Sequence, residues 1–504
     1  MIYADARPLS RDPDSSPLLF GLVAAIATLF ALMLLLLNVT IVLYAVVGIT
    51  TMAFVLVRPR WALYLLLACA MLSEVHLSNP NRATGVLLFS TLGNFGINLT
   101  PTELIMLFAT IGLAIRLLFD DEVHFRPGTL AIPISLFMFA ALVGIGVGLA
   151  RGADMTIMRA ETRGLFYLPV VYLLITHFIT TRKHVETLMW LFVITANLMA
   201  LENVYRYLFY VRGGYQLDGS PSLAFSHESA LFIAAAIVLL FARFAWSNNI
   251  AREWKSLALL VIPIIALLVM KRRAGVVALD VGLVVLCLVL LRQNFRMFVM
   301  IVPVAAVFIG LLLSVTWNAP GGTGTFARSF RSATGDQTVS ERDASSDDYR
   351  KQEGTNIRLN IQADPFVGIG FGREYKFYVP VADLSFWELW RFVPHNSVMW
   401  FWMKAGIIGF VAMATLFAVA IARSMQILRS LGKDTLAPYA FSMAAFVVMF
   451  VVYSWVDLGL VTPRTMVWFA IVLGTIATLG YLAPSDGDEA SASGAAPAVK
   501  GGTA

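Results

Sequence analysis

Charge is scarce in this chain. Asp, Glu, Lys and Arg make up 13% of its 504 residues, against about 25% in soluble domains, and 59% of the residues are hydrophobic. So little polar surface cannot cover a water-soluble fold of this length, so an integral membrane protein is expected and domain counting by length does not apply. Cysteine is nearly absent. The two that occur, Cys69 and Cys287, each sit inside an apolar run and read as buried thiols, not as a disulfide or metal pair. The net charge of +6 is no nucleic-acid signature here, because cations in a polytopic membrane protein record topology and lipid contact. The outer segments hold no Asp-x-Asp pair and no His/Asp cluster at ligand spacing, so neither metal nor cofactor is expected.

What the chain has in abundance is apolar runs of spanning length, about 20 residues each. Candidate spans are 18–37, 39–57, 61–77, 102–119, 130–150, 164–180, 185–210, 227–246, 256–270, 274–291, 297–317, 397–422, 437–458 and 464–483. The 18–57 and 256–291 regions admit other divisions. The expected fold is all-α, a polytopic transmembrane helix bundle of about 12–14 spans. The organisation read from the sequence is a cytoplasmic tail over 1–17, transmembrane helices over 18–317, an extracytoplasmic loop with short helices over 318–396, transmembrane helices over 397–483 and a disordered tail over 484–504. No small-residue cleavage site follows the first apolar run, so it reads as a retained helix.

Loop cations set the orientation. With the N-terminus inside, the inner connections carry Arg7, Arg11, Arg58, Arg60, Arg126, Arg182, Lys183, Arg252, Lys255, Arg292, Arg296, Arg429 and Lys433, a consistent cytoplasmic series that leaves both termini inside. Two groups fall on the outer side against this rule: Arg151, Arg159 and Arg163 around the 151–163 connection, and Lys271-Arg272-Arg273. Cations on the unexpected face are candidates for binding an anion. The outer segment from Asn318 to Pro394 is far longer than an ordinary loop. Its first part, NAPGGTGTFARSFRSATGDQTVSERDASSDDYRKQEGT, reads as flexible. Its second part has the spacing of a short amphipathic helix, then Pro365 and three close glycines, then an aromatic stretch, Phe386 to Phe392, read as a membrane anchor.

Three stretches in order, KRRAGVVAL, RLNIQADPFVGIGFG and PHNSVMWFWMKAGIIGF, resemble the O-antigen ligase and O-antigen polymerase superfamily of bacterial membrane glycan transferases of the GT-C kind. The resemblance covers mainly residues 265–415. It implies a metal-independent, inverting glycosyltransferase in the bacterial inner membrane. Its donor would be an undecaprenyl-pyrophosphate-linked glycan, its acceptor a glycan, lipid or protein hydroxyl, and a chain-length regulator is a candidate partner. It also implies roles: the mid-chain Arg is Arg273, the loop Arg is Arg358 and the catalytic His is His395. Two departures stand out. Arg272 occupies a position where a small hydroxyl residue is more usual, and GSPSLAFSHESA (Gly219 to Ala230) replaces a threonine-rich element, which leaves acceptor recognition open.

The chemistry of the residues runs parallel to this. Displacing pyrophosphate from an anomeric carbon leaves charge on phosphate oxygens, and Arg273, Arg272 and Arg358 offer forks matched to phosphate. An acceptor hydroxyl needs a base, for which His395 at a helix start is the candidate. Asn396, Arg159, Arg163 and Lys271 are supporting candidates. Bland readings stand beside these: Lys271 as an interfacial anchor, Arg159 and Arg163 as partners of Glu161, His227 and Glu228 as helix caps, and Asp457 as a polar group satisfied inside the bundle. A multi-helix transporter or lipid-glycan flippase is the alternative function. It predicts internal repeats and Gly/Pro-broken helices, neither of which is clear in this sequence.

Overall fold

Helix-starting signals recur at the ends of the apolar runs, and they decide where the helices begin. Thr100 and Glu103 form a reciprocal capping box ahead of Pro101, with Thr100 Oγ1 accepting from the Glu103 N–H and Glu103 accepting from the Thr100 N–H. Asp154, Thr181, Asn294 and Asn396 cap four more helices by accepting first-turn N–H groups. Pro463 opens another.

The computed structural model describes residues 39–72, 99–211, 226–247, 254–270, 272–319, 327, 331, 341–385 and 387–483. The expected tails 1–17 and 484–504, the run 18–37, Lys271 and Phe386 lie outside the described residues. The fold is an all-α polytopic helix bundle. In chain order the helices are α1 Val39–Val57, α2 Pro59–Leu72, α3 Pro101–Phe119, α4 Ala131–Ala150, α5 Met155–Phe178, α6 Arg182–Arg206, α7 His227–Trp246, α8 Trp254–Ala258, α9 Val261–Met270, α10 Arg273–Gln293, α11 Phe295–Thr316, α12 Glu341–Ala363, α13 Ser397–Leu431, α14 Ala437–Val456 and α15 Pro463–Leu482. Eight helices among the described residues are long and apolar enough to cross a membrane.

The centre of the bundle is α7, α14 and α15, whose side chains are buried almost all round. Helix α10 packs against α7 and α14, and α4 against α13 and α5, and the two expose Ile132, Phe139, Val284 and Leu288, the apolar faces that acyl chains cover. Contacts α7–α10, α10–α14, α13–α14 and α5–α15 tie these layers together.

Three expectations need correction. The connection before α5 is shorter than 151–163, because the Asp154 cap starts that helix at Met155 and puts Arg159 and Arg163 on its first turns. The charged stretch 341–354 is helical, not flexible, since α12 begins at Glu341 and docks on the bundle through Asp347, Tyr349 and Glu353. The run 256–270 is two pieces, α8 and α9, split at Leu259 and Leu260.

The glycine-rich segment after α12 is an inserted anchor. Its peptide groups bond across to the helices: Ile369 N–H to Met403 O at 2.8 Å, Gly370 N–H to Lys404 O at 3.1 Å and Phe371 N–H to Gly144 O at 3.2 Å. Gly368 and Gly406 face one another with φ of +76° and +67°, and a Cβ on Gly368 would stand 2.6 Å from the Gly406 nitrogen. Only glycine fits both conformation and space there. Beneath this insertion, Lys404 Nζ lies 2.8 Å from Glu161 Oε1, both side chains wholly buried, and Gly372 N–H donates to Glu161 Oε2. Every polar group of that pair therefore has a partner, which buried charges require.

Candidate active site

The site is built at the end of the bundle that carries the 318–396 segment. Helices α7 and α10 run side by side there and touch at Ala230 and Gly275, where a Cβ on Gly275 would run into Ala230. One helical turn back toward the N-terminus of each helix stand His227 and Arg272. Arg272 Nη1 donates to His227 Nε2 at 2.9 Å, and His227 Nδ1 lies 2.8 Å from Asp457 Oδ2. Arg273, the first residue of α10, points its fork the other way, onto α12. Its Nη1 and Nη2 donate to Asp347 Oδ2 and Oδ1 at 2.9 and 2.7 Å, a bidentate pair.

Six residues further along α12, roughly 9 Å by helical rise, Glu353 meets His395. Its Oε2 accepts the His395 backbone N–H at 3.0 Å, and its Oε1 lies 3.2 Å from His395 Nδ1. Glu353 is 2% exposed. A carboxylate only accepts, so Nδ1–H donates to Glu353, and in the neutral ring the lone pair is on Nε2. The rings of Tyr349 and Trp387 lie against the imidazole. Burial, together with the Glu353 carboxylate, raises the Tyr349 and Tyr375 phenols above their ordinary range, which keeps both neutral.

Ser397, two residues after His395, ties the start of α13 to the end of α14: its single O–H is shared between the Asp457 carbonyl at 2.9 Å and the Ser454 carbonyl at 3.0 Å. Asp457 closes α14 as its C-terminal cap. Burial pushes its carboxyl up, but the hydrogen bond from His227 and the charge of Arg350 prevail and hold it down at about 2.

The structure thus brings His395, Arg272 and Arg273 to one end of the bundle, around α12. Asn396 is there too, as the α13 cap, its side chain accepting the Met399 N–H at 2.9 Å. Arg358 is on α12 but exposed, eleven residues beyond Asp347, and makes no hydrogen bond or ion pair among the described residues. Arg159 is exposed on α5. Arg163 is not a partner of Glu161. It grips Glu103 with two bonds of 2.6 and 2.5 Å, in a cluster with Tyr167, because Lys404 already occupies Glu161. Asp457 is, as expected, satisfied by a polar partner, and that partner is His227.

Sequence reasoning missed Glu353 and Asp347 as site residues. The signal for Glu353 was present: Tyr349, Glu353, Asn356 and Asn360 recur at helical spacing, and that polar face is the one α12 buries. Asn356 and Asn360 use it to bond the 376–379 backbone. Among the described residues no three His, Cys, Asp or Glu side chains gather where one metal ion would reach them.

A polytopic helix bundle with a histidine–carboxylate pair and paired arginines beside an inserted loop helix is the class defined so far. Residues 258–414, just under a third of the chain, match the family described as O-Antigen ligase. That segment runs from α8 through α10, α12 and His395 into α13, so the match takes in the arginine pair and the histidine and supports the O-antigen ligase and polymerase superfamily. No curated protein matches the chain.

Proposed function

We propose that this protein is a membrane glycosyltransferase that moves a glycan from a polyprenyl-pyrophosphate carrier to an acceptor hydroxyl, as an O-antigen or exopolysaccharide polymerase or ligase. The observation that carries the reading is the Glu353–His395 contact of 3.2 Å, its carboxylate standing on the same loop helix that meets Arg273. The acceptor O–H gives its proton to His395 Nε2 while its oxygen attacks the anomeric carbon from the face opposite the leaving group. The bond from that carbon to the pyrophosphate oxygen breaks, inverting the centre, and the carrier departs as polyprenyl pyrophosphate. Arg273 holds the charge that grows on the phosphates while Arg272 binds the pyrophosphate of the donor, so the chemistry requires no metal. A base so placed contributes about 10²–10⁴ in rate.

The test is transfer in vitro with purified lipid-linked glycan donor, in the presence of EDTA, by the wild type and by His395→Ala and Arg273→Ala. Turnover that survives EDTA and collapses in both variants is expected. Full activity of His395→Ala would remove the base. Genomic neighbours that include a flippase and a chain-length regulator favour the polymerase over the ligase.

A further inference from the structure

The transfer chemistry uses Arg272 but leaves unexplained the chain of groups behind it. Arg272 Nη1, His227 Nε2, His227 Nδ1 and Asp457 Oδ2 follow one another at 2.9 and 2.8 Å, on three different segments of the fold. The atoms fix the direction of every bond. A guanidinium only donates, so His227 Nε2 accepts. The ring proton is then on Nδ1, and the Asp457 carboxylate receives it. Asp457 itself has no freedom: it is 1% exposed, its Oδ1 accepts the Leu458 N–H at 2.9 Å, and its carbonyl is bonded by Ser397.

Rigidity therefore passes outward from a fixed carboxylate to a half-exposed imidazole and then to a long side chain. The helices are built to permit this. The close approach at Gly275 and Ala230 sets the register that puts Arg272 beside His227, one turn above the contact. A residue with the bulk of alanine at position 275 would force the two helices apart and lengthen the bond.

We propose that His227 is a positioning residue: as an Nδ1-protonated imidazole oriented by Asp457, it holds the Arg272 guanidinium aimed at the pyrophosphate of the lipid-linked donor. The inference rests on Arg272 being a donor-phosphate contact. Such a group acts before chemistry, so its loss weakens donor binding and spares the chemical step.

The experiment compares two variants that each keep half of the imidazole. His227→Asn retains a donor near the Nδ1 position for Asp457 but has nothing to accept from Arg272. His227→Gln sets its amide oxygen near the Nε2 position, where it accepts from Arg272. Donor KM and kcat are measured on purified protein with the lipid-linked glycan. His227→Asn should raise donor KM about tenfold with kcat little changed, and His227→Gln should stay within about threefold of wild type. In an Arg272→Ala background, which itself raises donor KM, His227→Asn should add nothing further. The inference is overturned if Gln is as poor as Asn, if the loss falls on kcat, or if the Asn and Arg272→Ala effects multiply. An Arg272→Ala protein with normal donor KM would instead overturn the phosphate role of Arg272, and the positioning role with it.

Discussion

Glu353 holds His395 twice, through the backbone N–H at 3.0 Å and through Nδ1 at 3.2 Å, and so fixes both where the imidazole stands and which nitrogen carries its proton. Removing the charge while keeping the shape separates these duties from mere packing. Glu353→Gln should lower kcat by about 10²-fold with donor KM nearly constant, and His395→Ala by about 10²–10⁴. Because the pair acts as a unit, the double variant should be no slower than His395→Ala alone. Rates of the double variant far below that single variant would show that Glu353 has a separate task.

Arg273 donates its fork to Asp347, a carboxylate in the geometry a phosphate would take. With Arg273 as the proposed phosphate contact, donor binding competes with an internal anion. Asp347→Asn weakens that competitor, so donor KM should fall several-fold, whereas Arg273→Ala should raise it. Arg273→Lys should resemble the alanine variant more than the wild type, because an ammonium is a point charge without the fork. Steady-state kinetics against donor concentration reads all three. A rise in donor KM for Asp347→Asn would mean that the carboxylate orients the arginine instead of blocking it.

Hydropathy made the bundle legible, and four spans, 39–57, 102–119, 130–150 and 227–246, end where the apolar run ends. The boundaries that failed did so where tertiary partners override local polarity. Arg159, Glu161 and Arg163 look like a polar connection, yet Glu161 is neutralised by Lys404 from a helix some 240 positions on and Arg163 by Glu103, so the helix continues through all three. The same holds at 341–354, which is charged enough to read as solvated and is helical because Asp347 and Glu353 find Arg273 and His395. Single-residue candidates were readable from type and position. Their partners were not, because a carboxylate 42 residues from its histidine leaves no local trace.

The Glu161–Lys404 pair predicts a stability effect without a catalytic one. Both side chains are fully buried, and removing one leaves an uncompensated charge, which costs about 3–5 kcal/mol. Lys404→Met should therefore unfold at a lower temperature in detergent and expose the glycine-rich segment to protease, since Lys404 Nζ also donates to the Arg373 carbonyl. Pairing it with Glu161→Gln should recover part of the loss. A Lys404→Met protein as stable as wild type would show that Glu161 is carried neutral.

Asp457 supplies the pH test. Its folded carboxyl is held at about 2, below the ordinary carboxylate value, by the hydrogen bond from His227 and the nearby Arg350 despite burial. A depressed carboxyl pKa contributes stability that is complete above the unfolded-state value, about 3.9, and is lost as the pH falls through the folded one. The difference in thermal midpoint between wild type and Asp457→Asn should thus stay constant from pH 8 to pH 5 and shrink only below about pH 4. A difference that already changes between pH 8 and 5 would mean that a neighbouring group, and not this carboxylate, titrates the link to His227.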